Sequence, residues 1–467
     1  MFEIDDKKEA CGIIAVINHK NAAPLCATGL FSLQHRGEEA CGITAFKDGK
    51  LLTSCGLGLV NKVFENENFS QFENFRSAIG HTRYSVTGSS EEIKNIQPLS
   101  VQSNKGSFAL AHNGNLINSK ELRDKLESDG AIFQGSTDTE IFLHLIARSK
   151  KSFREAFIDA CKQVKGAYSL VAINQDGIYA VKDPNGFKPI CYGLLKQKES
   201  IFAKDEGSSY VIASETPALD LMDATYIDEL EPGEMLFISH SGAVDRKNIF
   251  SPKKEAETKK CIFELIYFSR PDSHLFKESV YVFRKKLGHI LAREGPVKAD
   301  MVIPIPDSGN ISALGYAEET GIPLEKVLTK NHYTSRSFIQ PKQNQREMMV
   351  KMKLNPIANM IKGKKVVLVD DSIVRGTTTR EKIKAFRQCG AKEIHLRIAS
   401  ARIKYPCFYG INFPNVSELI ANKMTLEETK NFLGLDSLVH LSIEGMLKAS
   451  EQSGFCLACF NGNYPVS

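Results

Sequence analysis

Short apolar segments separated by polar turns dominate the first half of the chain. Segments rich in apolar and β-branched residues predict strands at Cys11–Ile17, Ala40–Phe46, Ser107–His112, Tyr168–Ile173 and Tyr210–Ser214. Helices are predicted over Pro24–His35, Lys120–Ser128 and Asp138–Arg148, and the last of these has apolar residues at helical spacing. The turn Gln175–Gly177 predicts a hairpin. This pattern indicates a strand-dominated, layered first domain with helices on its faces.

Strand and helix patterns alternate in the second half, after the polar and highly charged residues 245–260. An amphipathic stretch at Leu275–Arg293 precedes predicted strands at Met301–Pro306, Lys364–Asp370 and Glu393–Ile398, with a predicted helix at Thr377–Gly390. Such alternation predicts a parallel sheet with helices on both faces, so the chain as a whole is of the α/β (α+β) class. We therefore predict two domains, 11–240 and 261–467, joined by a linker at 241–260.

The composition of the chain is that of an ordinary globular protein. The 467 residues are 42% hydrophobic and 25% charged, which excludes a disordered or collagen-like chain. No apolar run approaches the roughly 18 residues of a membrane span, and the N-terminus lacks the pattern of a secretory signal. The formal charge of +5 is too small to argue for nucleic acid. We expect a cytoplasmic protein with neither membrane nor nucleic-acid partners.

The segment Val366–Thr379 carries a candidate anion site. Four apolar residues end in Asp370 and Asp371, at the carboxyl end of a strand where open α/β sheets place ligands. A helix start rich in N–H groups and hydroxyls binds anions, and its candidate residues are Ser372, Arg375, Gly376, Thr377, Thr378 and Thr379. The two carboxylates suit sugar hydroxyls or a hydrated Mg²⁺; the alternative is a solvated Asp pair before a Thr-capped helix. The whole run resembles the phosphoribosyl pyrophosphate motif of type I phosphoribosyltransferases.

Two further segments agree with that resemblance. Pro304–Gly309 ends another strand with an acid and a hydroxyl, and the loop 335–353 has five basic residues against the single acid Glu347. Such a loop is suited to close over a pyrophosphate and exclude water, although alone it is more often solvated surface. The resemblance implies that the pyrophosphate-bearing sugar also contacts Asp307, Arg336 and Lys351. It further implies one Mg²⁺ per subunit, held by Ser308, Asp370 and Asp371.

Cys11 follows ten mostly polar residues and opens the first predicted strand. If residues 1–10 are removed as a propeptide, Cys11 gains a free α-amine of pKa about 7.7–8.0, a suitable base for its own thiol. The alternative is an ordinary strand cysteine. Four motifs follow in order, Leu33–Gly37, His81–Tyr84, His112–Leu116 and Ser136–Glu140. Together they resemble the glutaminase domain of the N-terminal-nucleophile amidotransferases, which implies an αββα sandwich.

In that resemblance Cys11 attacks the amide of glutamine, and Asn113 and Gly114 hold the tetrahedral oxyanion. Arg83 binds the α-carboxylate of glutamine and Asp138 its α-ammonium. After Gly37 the chain reads Glu-Glu-Ala-Cys, where relatives usually show Gln, a small residue and Gly. This departure touches no proposed catalytic group, so it affects only the expected shape of the pocket.

From Cys11 onward the chain resembles the amidophosphoribosyltransferase family, including the segments Phe263–Ser273 and Leu435–Leu447. The resemblance implies transfer of ammonia from glutamine to phosphoribosyl pyrophosphate, giving 5-phosphoribosylamine in the first step of purine synthesis. It also implies a homotetramer, feedback by purine nucleotides, and an internal ammonia path. Two alternatives stay open. One is a phosphoribosyl-binding regulatory protein with an inert glutaminase domain, and the other is an amidotransferase acting on a different sugar phosphate or amino-acid precursor.

Eleven cysteines without a secretion signal argue against a disulfide framework. Cys456 and Cys459 form a Cys-x-x-Cys pair, and Cys261 and Cys407 are two more candidate ligands. Four thiolates satisfy either a [4Fe–4S] cluster or structural zinc, and spacing alone favours zinc. The segments around these cysteines resemble the iron–sulfur branch of the family, which is made with a short propeptide. That resemblance implies a structural [4Fe–4S] cluster.

Overall fold

The computed structural model describes residues 11–65, 67, 69–84, 92–195, 208–330, 354–411, 413 and 415–466. Two antiparallel sheets face each other in the N-terminal domain. The seven-stranded sheet contains β1 (Gly12–Ile17), β2 (Ala40–Lys47), β3 (Lys50–Leu57), β4 (Ser77–Arg83), β9 (Cys191–Leu195), β10 (Tyr210–Ala213) and β11 (Ala224–Glu229), in the order β11-β9-β10-β1-β4-β2-β3. The six-stranded sheet contains β5 (Leu99–Ser103), β6 (Gly106–Leu116), β7 (Gly166–Ile173), β8 (Gly177–Lys182), β12 (Glu234–Ser239) and β13 (Val244–Asn248), in the order β13-β12-β8-β7-β6-β5.

Helices cover the outer faces of both sheets. The seven-stranded sheet packs against α1 (Ala22–Ser32), α2 (Val60–Val63) and α6 (Thr216–Leu221), and the six-stranded sheet against α3 (Ser119–Ser128), α4 (Glu140–Arg148) and α5 (Phe153–Gln163). Strand β1 is apolar on both of its faces because each face packs against a different core, and successive side chains of a strand point to opposite faces. Its Ile13 joins the core between the sheets, whereas Ile14 packs under the helices. The predicted αββα sandwich is confirmed.

Two details differ from the sequence pattern in this domain. Residues Val244–Asn248, which fall in the predicted linker, pair antiparallel with β12 as the edge strand of the six-stranded sheet. Val244 is the only apolar residue among them, so hydrophobic alternation does not reveal this strand. Helix α1 ends at Ser32, and the residues after it, Gln34–Arg36, form a 3₁₀ turn. That turn directs the Arg36 side chain into the protein, where it is buried.

The C-terminal domain is built on four parallel strands in the order β17-β20-β21-β22, which are β17 (Met301–Pro304), β20 (Lys365–Asp370), β21 (Glu393–Ile398) and β22 (Ser437–His440). Its helices are α7 (Val280–Glu294), α8 (Asn310–Thr320), α9 (Ala358–Ile361), α10 (Thr377–Gln388), α11 (Ile420–Lys423), α12 (Leu426–Leu433), α13 (Ile443–Lys448) and α14 (Ala458–Asn461). Alternate residues of β20 serve two cores, with Val367 and Val369 on one face and Val366 and Leu368 on the other. The predicted parallel sheet with helices on both faces is confirmed.

Three pairs of short strands complete the C-terminal domain. They are β14 (Lys260–Cys261) with β23 (Phe455–Cys456), β15 (His274–Leu275) with β16 (Glu278–Ser279), and β18 (Leu328–Lys330) with β19 (Leu354–Pro356). The hairpin of β15 and β16 turns through Phe276 and Lys277, both at positive φ, so α7 begins only at Val280, inside the amphipathic stretch that starts at Leu275. A five-residue π-helix, Glu264–Phe268, precedes them. Among the described helices none is long and apolar enough to cross a membrane.

Candidate active sites

Cys11 lies immediately before β1, a central strand of the N-terminal domain. Its side chain is buried, and its Sγ–H donates to the carbonyl oxygen of Tyr84 at 3.4 Å. Burial raises the pKa of the Cys11 thiol above its usual range, so a base is needed to form the nucleophilic thiolate. The predicted propeptide, residues 1–10, lies outside the described residues.

Asn113 and Gly114 lie near the end of β6. The Asn113 side chain is fully buried, and neither its Nδ2 nor its Oδ1 has a hydrogen-bond partner among the described residues. Leaving a buried amide without partners costs free energy, so this group is poised to bond a ligand. Gly114 has φ +153°, and a Cβ there would lie 1.9 Å from the carbonyl oxygen of Ala167. Only glycine fits, and these two predicted oxyanion donors are adjacent to one another.

Arg83 and Asp138 supply opposite charges to the same region, since both act electrostatically on the Cys11 thiol. Arg83 is buried at the end of β4, and its Nη1 and Nη2 have no hydrogen-bond partner in the part of the chain that is described. Burial lowers the pKa of the Arg83 guanidinium. Asp138 Oδ2 accepts the Leu116 N–H at 2.8 Å. A guanidinium and a carboxylate are the complements of an α-carboxylate and an α-ammonium, the two charges of a free amino acid.

His81 and His112 hold this site together, although the sequence assigned them no role. The Nε2 atom of His81 lies 3.2 Å from the carbonyl oxygen of His112, which joins β4 of one sheet to β6 of the other. Burial lowers the pKa of His81 to about 3, so its ring is neutral. His112 Nδ1 lies 3.7 Å from Asp138 Oδ1. Burial by itself raises the pKa of Asp138, but His112 and backbone N–H groups outweigh it and keep that pKa below its usual range.

The second candidate site lies at the carboxyl end of β20. Asp370, Asp371 and Ser372 are all buried there. The two carboxylate oxygens of Asp371 accept hydrogen bonds from different hydroxyls, Oδ1 from Ser308 at 2.6 Å and Oδ2 from Ser372 at 2.6 Å. Asp370 Oδ2 lies 3.6 Å from Lys382 Nζ. The site therefore presents oxygen ligands from two neighbouring strand ends, β17 and β20.

The loop after β17 approaches this strand end closely. The Pro306–Asp307 peptide is cis, and Asp307 is exposed. A Cβ on Gly309 would lie 2.4 Å from the carbonyl oxygen of Val369, so only glycine lets the loop pack against β20. The predicted residue Ser308 is thereby brought beside the carboxylates, and the predicted residue Asp307 precedes it in the same loop.

Helix α10 begins directly after this site. Gly376 has φ +78° and caps the helix, so the backbone turns sharply between the carboxylates and the first helical residue. The side chain of Thr379 is buried, whereas that of Thr377 is exposed. Arg375 Nε donates to Glu418 at 2.9 Å. The N–H groups of the first turn have no partner within the helix itself, which is the arrangement that binds anions.

Comparison with known proteins identifies the family. Residues 81–220 match the glutamine amidotransferase domain and residues 283–405 match the phosphoribosyl transferase domain. The chain is 43% identical to the amidophosphoribosyltransferase of Bacillus subtilis over 474 residues, which cover 100% of this chain and 96% of the relative. The chain belongs to the amidophosphoribosyltransferase family.

Other relatives and solved structures agree. Amidophosphoribosyltransferase of Methanocaldococcus jannaschii is 44% identical over 98% of this chain and 98% of the relative, and the chloroplastic enzyme of Glycine max is 44% identical over 100% of this chain and 80% of the relative. The solved glutamine phosphoribosylpyrophosphate amidotransferase of B. subtilis, complexed with ADP and GMP, has a TM-score of 0.89 at 43% identity and covers 98% of both chains. A structure of the allosteric regulatory enzyme of purine biosynthesis also has a TM-score of 0.89 at 43% identity, covering 98% of this chain and 96% of that one.

The four cysteines predicted as ligands in this amidophosphoribosyltransferase come from distant parts of the chain. Cys261 and Cys456 face each other in the parallel pair of β14 and β23, and the Cys407 sulfur accepts the Tyr409 N–H at 3.3 Å. Burial raises the thiol pKa of all four, and the pKa of Cys459 is raised further by the other three thiols. Within the described ranges, no three His, Cys, Asp or Glu side chains have the spacing to hold a single metal ion.

The predicted basic loop of residues 335–353, with Arg336 and Lys351, lies outside the described residues. The strands on either side of it, β18 and β19, pair antiparallel with Lys330 opposite Leu354. The chain therefore leaves and re-enters the described part of the transferase domain at one place.

Arg36 and Glu264 were not predicted as functional residues, although the motifs that contain them were recognised. Both are buried, and Arg36 Nη2 donates to both carboxylate oxygens of Glu264, at 3.0 and 2.9 Å. The sequence signal is a single charge within an apolar run, since Glu264 stands between Phe263 and Leu265. A charged residue is seldom fully buried unless it is paired, so that position indicates a partner without identifying it.

Proposed function

We propose that this chain catalyses the amidophosphoribosyltransferase reaction. It transfers the amide nitrogen of glutamine to phosphoribosyl pyrophosphate and yields 5-phosphoribosylamine, glutamate and pyrophosphate, the first committed step of purine synthesis. The observation that carries the proposal is the pair of buried, unpartnered groups near Cys11. Among the described residues, the Asn113 amide and the Arg83 terminal nitrogens have no hydrogen-bond partner. Buried polar groups are normally satisfied, so these groups are explained by a small polar substrate.

In the amidotransferase domain, the thiolate of Cys11 attacks the amide carbon of glutamine. The Asn113 side chain and the Gly114 N–H then stabilise the oxyanion, because both are donors already held in place. The C–N bond breaks once the nitrogen is protonated, which releases ammonia and leaves a thioester on Cys11. Water hydrolyses the thioester to glutamate. We propose that removal of residues 1–10 frees the Cys11 α-amine to act as the base.

Arg83 and Asp138 orient glutamine for this attack. The guanidinium pairs with the α-carboxylate of the substrate, and the carboxylate of Asp138 pairs with its α-ammonium. Support comes from the opposite charges that both groups present to Cys11. Because neither group bonds to the amide that reacts, we assign them to binding and not to the chemical step.

In the transferase domain, ammonia displaces pyrophosphate at the anomeric carbon of the sugar. We propose that Asp370 and Asp371 bind the ribose hydroxyls, and that the first turn of α10 binds the 5′-phosphate through its N–H groups. The proposed phosphate contacts are Ser372, Arg375, Gly376, Thr377, Thr378 and Thr379. Asp307, Arg336 and Lys351 are proposed to contact the pyrophosphate. Catalysis here rests on positioning and on stabilising the charge of the leaving group, since no protein nucleophile is needed.

The oxygen ligands at this strand end also fit one Mg²⁺ per subunit, held by Ser308, Asp370 and Asp371. Carboxylate and hydroxyl oxygens are the donors that Mg²⁺ prefers, and here they lie within hydrogen-bond distance of one another. When bound, the ion offsets the negative charge of the pyrophosphate. We likewise propose a structural [4Fe–4S] cluster at Cys261, Cys407, Cys456 and Cys459, supported by the buried Cys459 thiol, on which the other three, partly buried thiols act electrostatically.

Regulation and assembly are proposed on the basis of the relatives. The similar B. subtilis enzyme is described in complex with ADP and GMP, so we propose purine nucleotides as feedback inhibitors of this chain. We also propose a cytoplasmic homotetramer, which sedimentation of the purified protein tests directly.

The decisive experiment measures pyrophosphate release from phosphoribosyl pyrophosphate, with glutamine or with ammonia, for the wild type and for Cys11→Ala. We expect the variant to lose glutamine-dependent turnover and to keep the ammonia-dependent reaction, because only the first needs the thiol. If the wild type releases no pyrophosphate with either donor, the assignment of transferase activity is wrong. A regulatory role, in which the chain binds a phosphoribosyl group without transferring it, then replaces that assignment. If the variant keeps glutamine-dependent turnover, Cys11 is not the nucleophile.

A further inference from the structure

Four charged side chains are buried together where the two domains meet. Arg36, Lys188 and Glu215 come from the amidotransferase domain, and Glu264 comes from the π-helix of the transferase domain. None of the four is more than 1% exposed. We call this group the interface charge cluster. It holds two cations and two anions, so its formal charges balance.

The cluster is closely hydrogen-bonded. Arg36 Nη2 donates to both oxygens of Glu264, and Arg36 Nη1 donates to Glu215. Lys188 Nζ donates to Glu264 Oε1 at 3.0 Å. Burial alone raises the pKa of Glu264, but the charges of Arg36 and Lys188 outweigh it and lower that pKa, so the carboxylate stays ionised. Glu264 is therefore the point at which both cations of the first domain meet the second domain.

Arg36 also holds the residue proposed as the nucleophile. The third nitrogen of its guanidinium, Nε, donates to the carbonyl oxygen of Cys11 at 3.1 Å. The next residue, Gly37, packs directly on Arg83, since a Cβ there would lie 2.6 Å from the Arg83 carbonyl carbon. The turn that carries Arg36 thus contacts the backbone on both sides of the glutamine site.

The same cluster also forms hydrogen bonds with the segment that follows the π-helix in the transferase domain. Ser273 Oγ and the Arg270 N–H donate to Glu215 Oε2 at 2.6 and 2.9 Å. Arg284 of α7 donates to the carbonyl oxygens of Leu265 and Ser269, at 2.8 Å each, and so fixes both ends of the π-helix. A displacement of the π-helix would therefore move Glu264 and change the position of the Arg36 guanidinium that is hydrogen-bonded to it.

We propose that Glu264 is a positioning residue for glutamine hydrolysis: it holds the Arg36 guanidinium, which in turn fixes the backbone of Cys11, so that the transferase domain completes the amidotransferase site. The proposal rests on the proposed role of Cys11 as nucleophile. Without Glu264, the long Arg36 side chain has Glu215 as its remaining acidic partner in the cluster, and its bond to the Cys11 carbonyl is no longer fixed. Misplacing a reacting group by about 1 Å can cost about a hundredfold in rate.

The simpler explanation is that Glu264 only neutralises buried cations. Two variants separate these explanations. Glu264→Gln keeps the shape but leaves two cations against one anion. The double variant Lys188→Met with Glu264→Gln removes one charge of each sign, so the balance is restored while the carboxylate that holds Arg36 is still missing.

The measurements are the kcat and KM for glutamine hydrolysis, the ammonia-dependent release of pyrophosphate, and the midpoint of thermal unfolding. The ratio of glutamine-dependent to ammonia-dependent turnover cancels any difference in folded fraction. We expect this ratio to fall at least about tenfold in both variants. The fall should lie in kcat and not in the KM for glutamine, because Glu264 does not touch Arg83 or Asp138. The double variant should recover thermal stability that Glu264→Gln loses.

A matched control is Glu234→Gln in the amidotransferase domain, which removes a buried carboxylate that accepts two hydrogen bonds from Arg246, each at 2.8 Å. Its turnover ratio should equal that of the wild type. The proposal is overturned if the ratio stays at the wild-type value in Glu264→Gln, if the double variant regains it, or if only the KM changes. Loss of the nucleophile assignment is a separate outcome, because it appears as glutamine hydrolysis that survives in Cys11→Ala.

Discussion

The Asn113 side chain combines full burial with an amide that has no partner among the described residues. An unsatisfied buried polar group costs about 1–3 kcal/mol, so this residue lowers the stability of the free protein and is useful only when a ligand bonds it. We predict that Asn113→Ala lowers kcat for glutamine hydrolysis about 10²–10³-fold, as loss of an oxyanion donor does. The variant should unfold at a temperature no lower than the wild type, and ammonia-dependent turnover should be unchanged.

Asn174 provides the matched control for that substitution. It is equally buried, but its amide is fully used in the β7–β8 hairpin, where Oδ1 accepts the N–H groups of Asp176 and Gly177 at 2.9 and 3.3 Å. Asn174→Ala should lower the unfolding temperature and leave kcat unchanged. If Asn113→Ala behaves like the control, losing stability while keeping kcat, its amide is structural and the proposed oxyanion role is wrong.

At the scale of elements, the end of β20 depends on a neighbouring strand. Asp371 accepts one hydrogen bond from the Ser308 hydroxyl in the loop after β17 and one from the Ser372 hydroxyl in its own loop. Asp371→Asn removes the charge while keeping the shape, and hydrogen bonds to charged groups contribute about 1.5–3 kcal/mol. We predict that pyrophosphate release falls about 10- to 100-fold with glutamine and with ammonia alike. Equal loss with both donors distinguishes this site from the site at Cys11.

Asp436→Asn is the comparison for this prediction. Asp436 also ends a loop beside the parallel sheet, but it pairs with Arg387 at 2.6 Å on the surface, away from the carboxylates of β20. This variant should keep both turnovers near the wild-type values. A fall with glutamine alone in Asp371→Asn would contradict the assignment of the β20 end to the transferase reaction.

Hydrophobic pattern predicted some of the buried strands, but it missed the buried strand β4 as well as the exposed strand β13. Strand β7 is apolar and buried throughout, so its sequence reveals it. Strand β13 is mostly exposed and polar, and only its pairing with β12 defines it. The candidate residues of 370–379 were predictable because they are contiguous after a buried strand. The contact of Arg36 with Glu264 was not, because 228 residues separate them and only the packing of two domains brings them together.

At the scale of the whole molecule, the loop after Cys407 joins the two domains. Asn115 Nδ2 donates to the carbonyl oxygen of Phe408 at 3.0 Å, and the rings of Phe187 and Tyr409 stack with centroids 4.3 Å apart. Cys407 therefore directly precedes two residues that contact the amidotransferase domain. A cluster bound to Cys407 would stabilise the interface between the domains as well as the C-terminal tail.

This arrangement leads to a prediction about metal content. Protein purified without oxygen should contain iron and acid-labile sulfide in equal amounts, and Cys407→Ser should lose most of both and unfold at a lower temperature, because a bound cluster contributes its binding free energy to folding. Cys389→Ser is the control, since Cys389 lies at the end of α10 and is not one of the four proposed ligands. It should keep its iron. Zinc in place of iron, or a wild type without metal, would show that the four thiols serve another purpose.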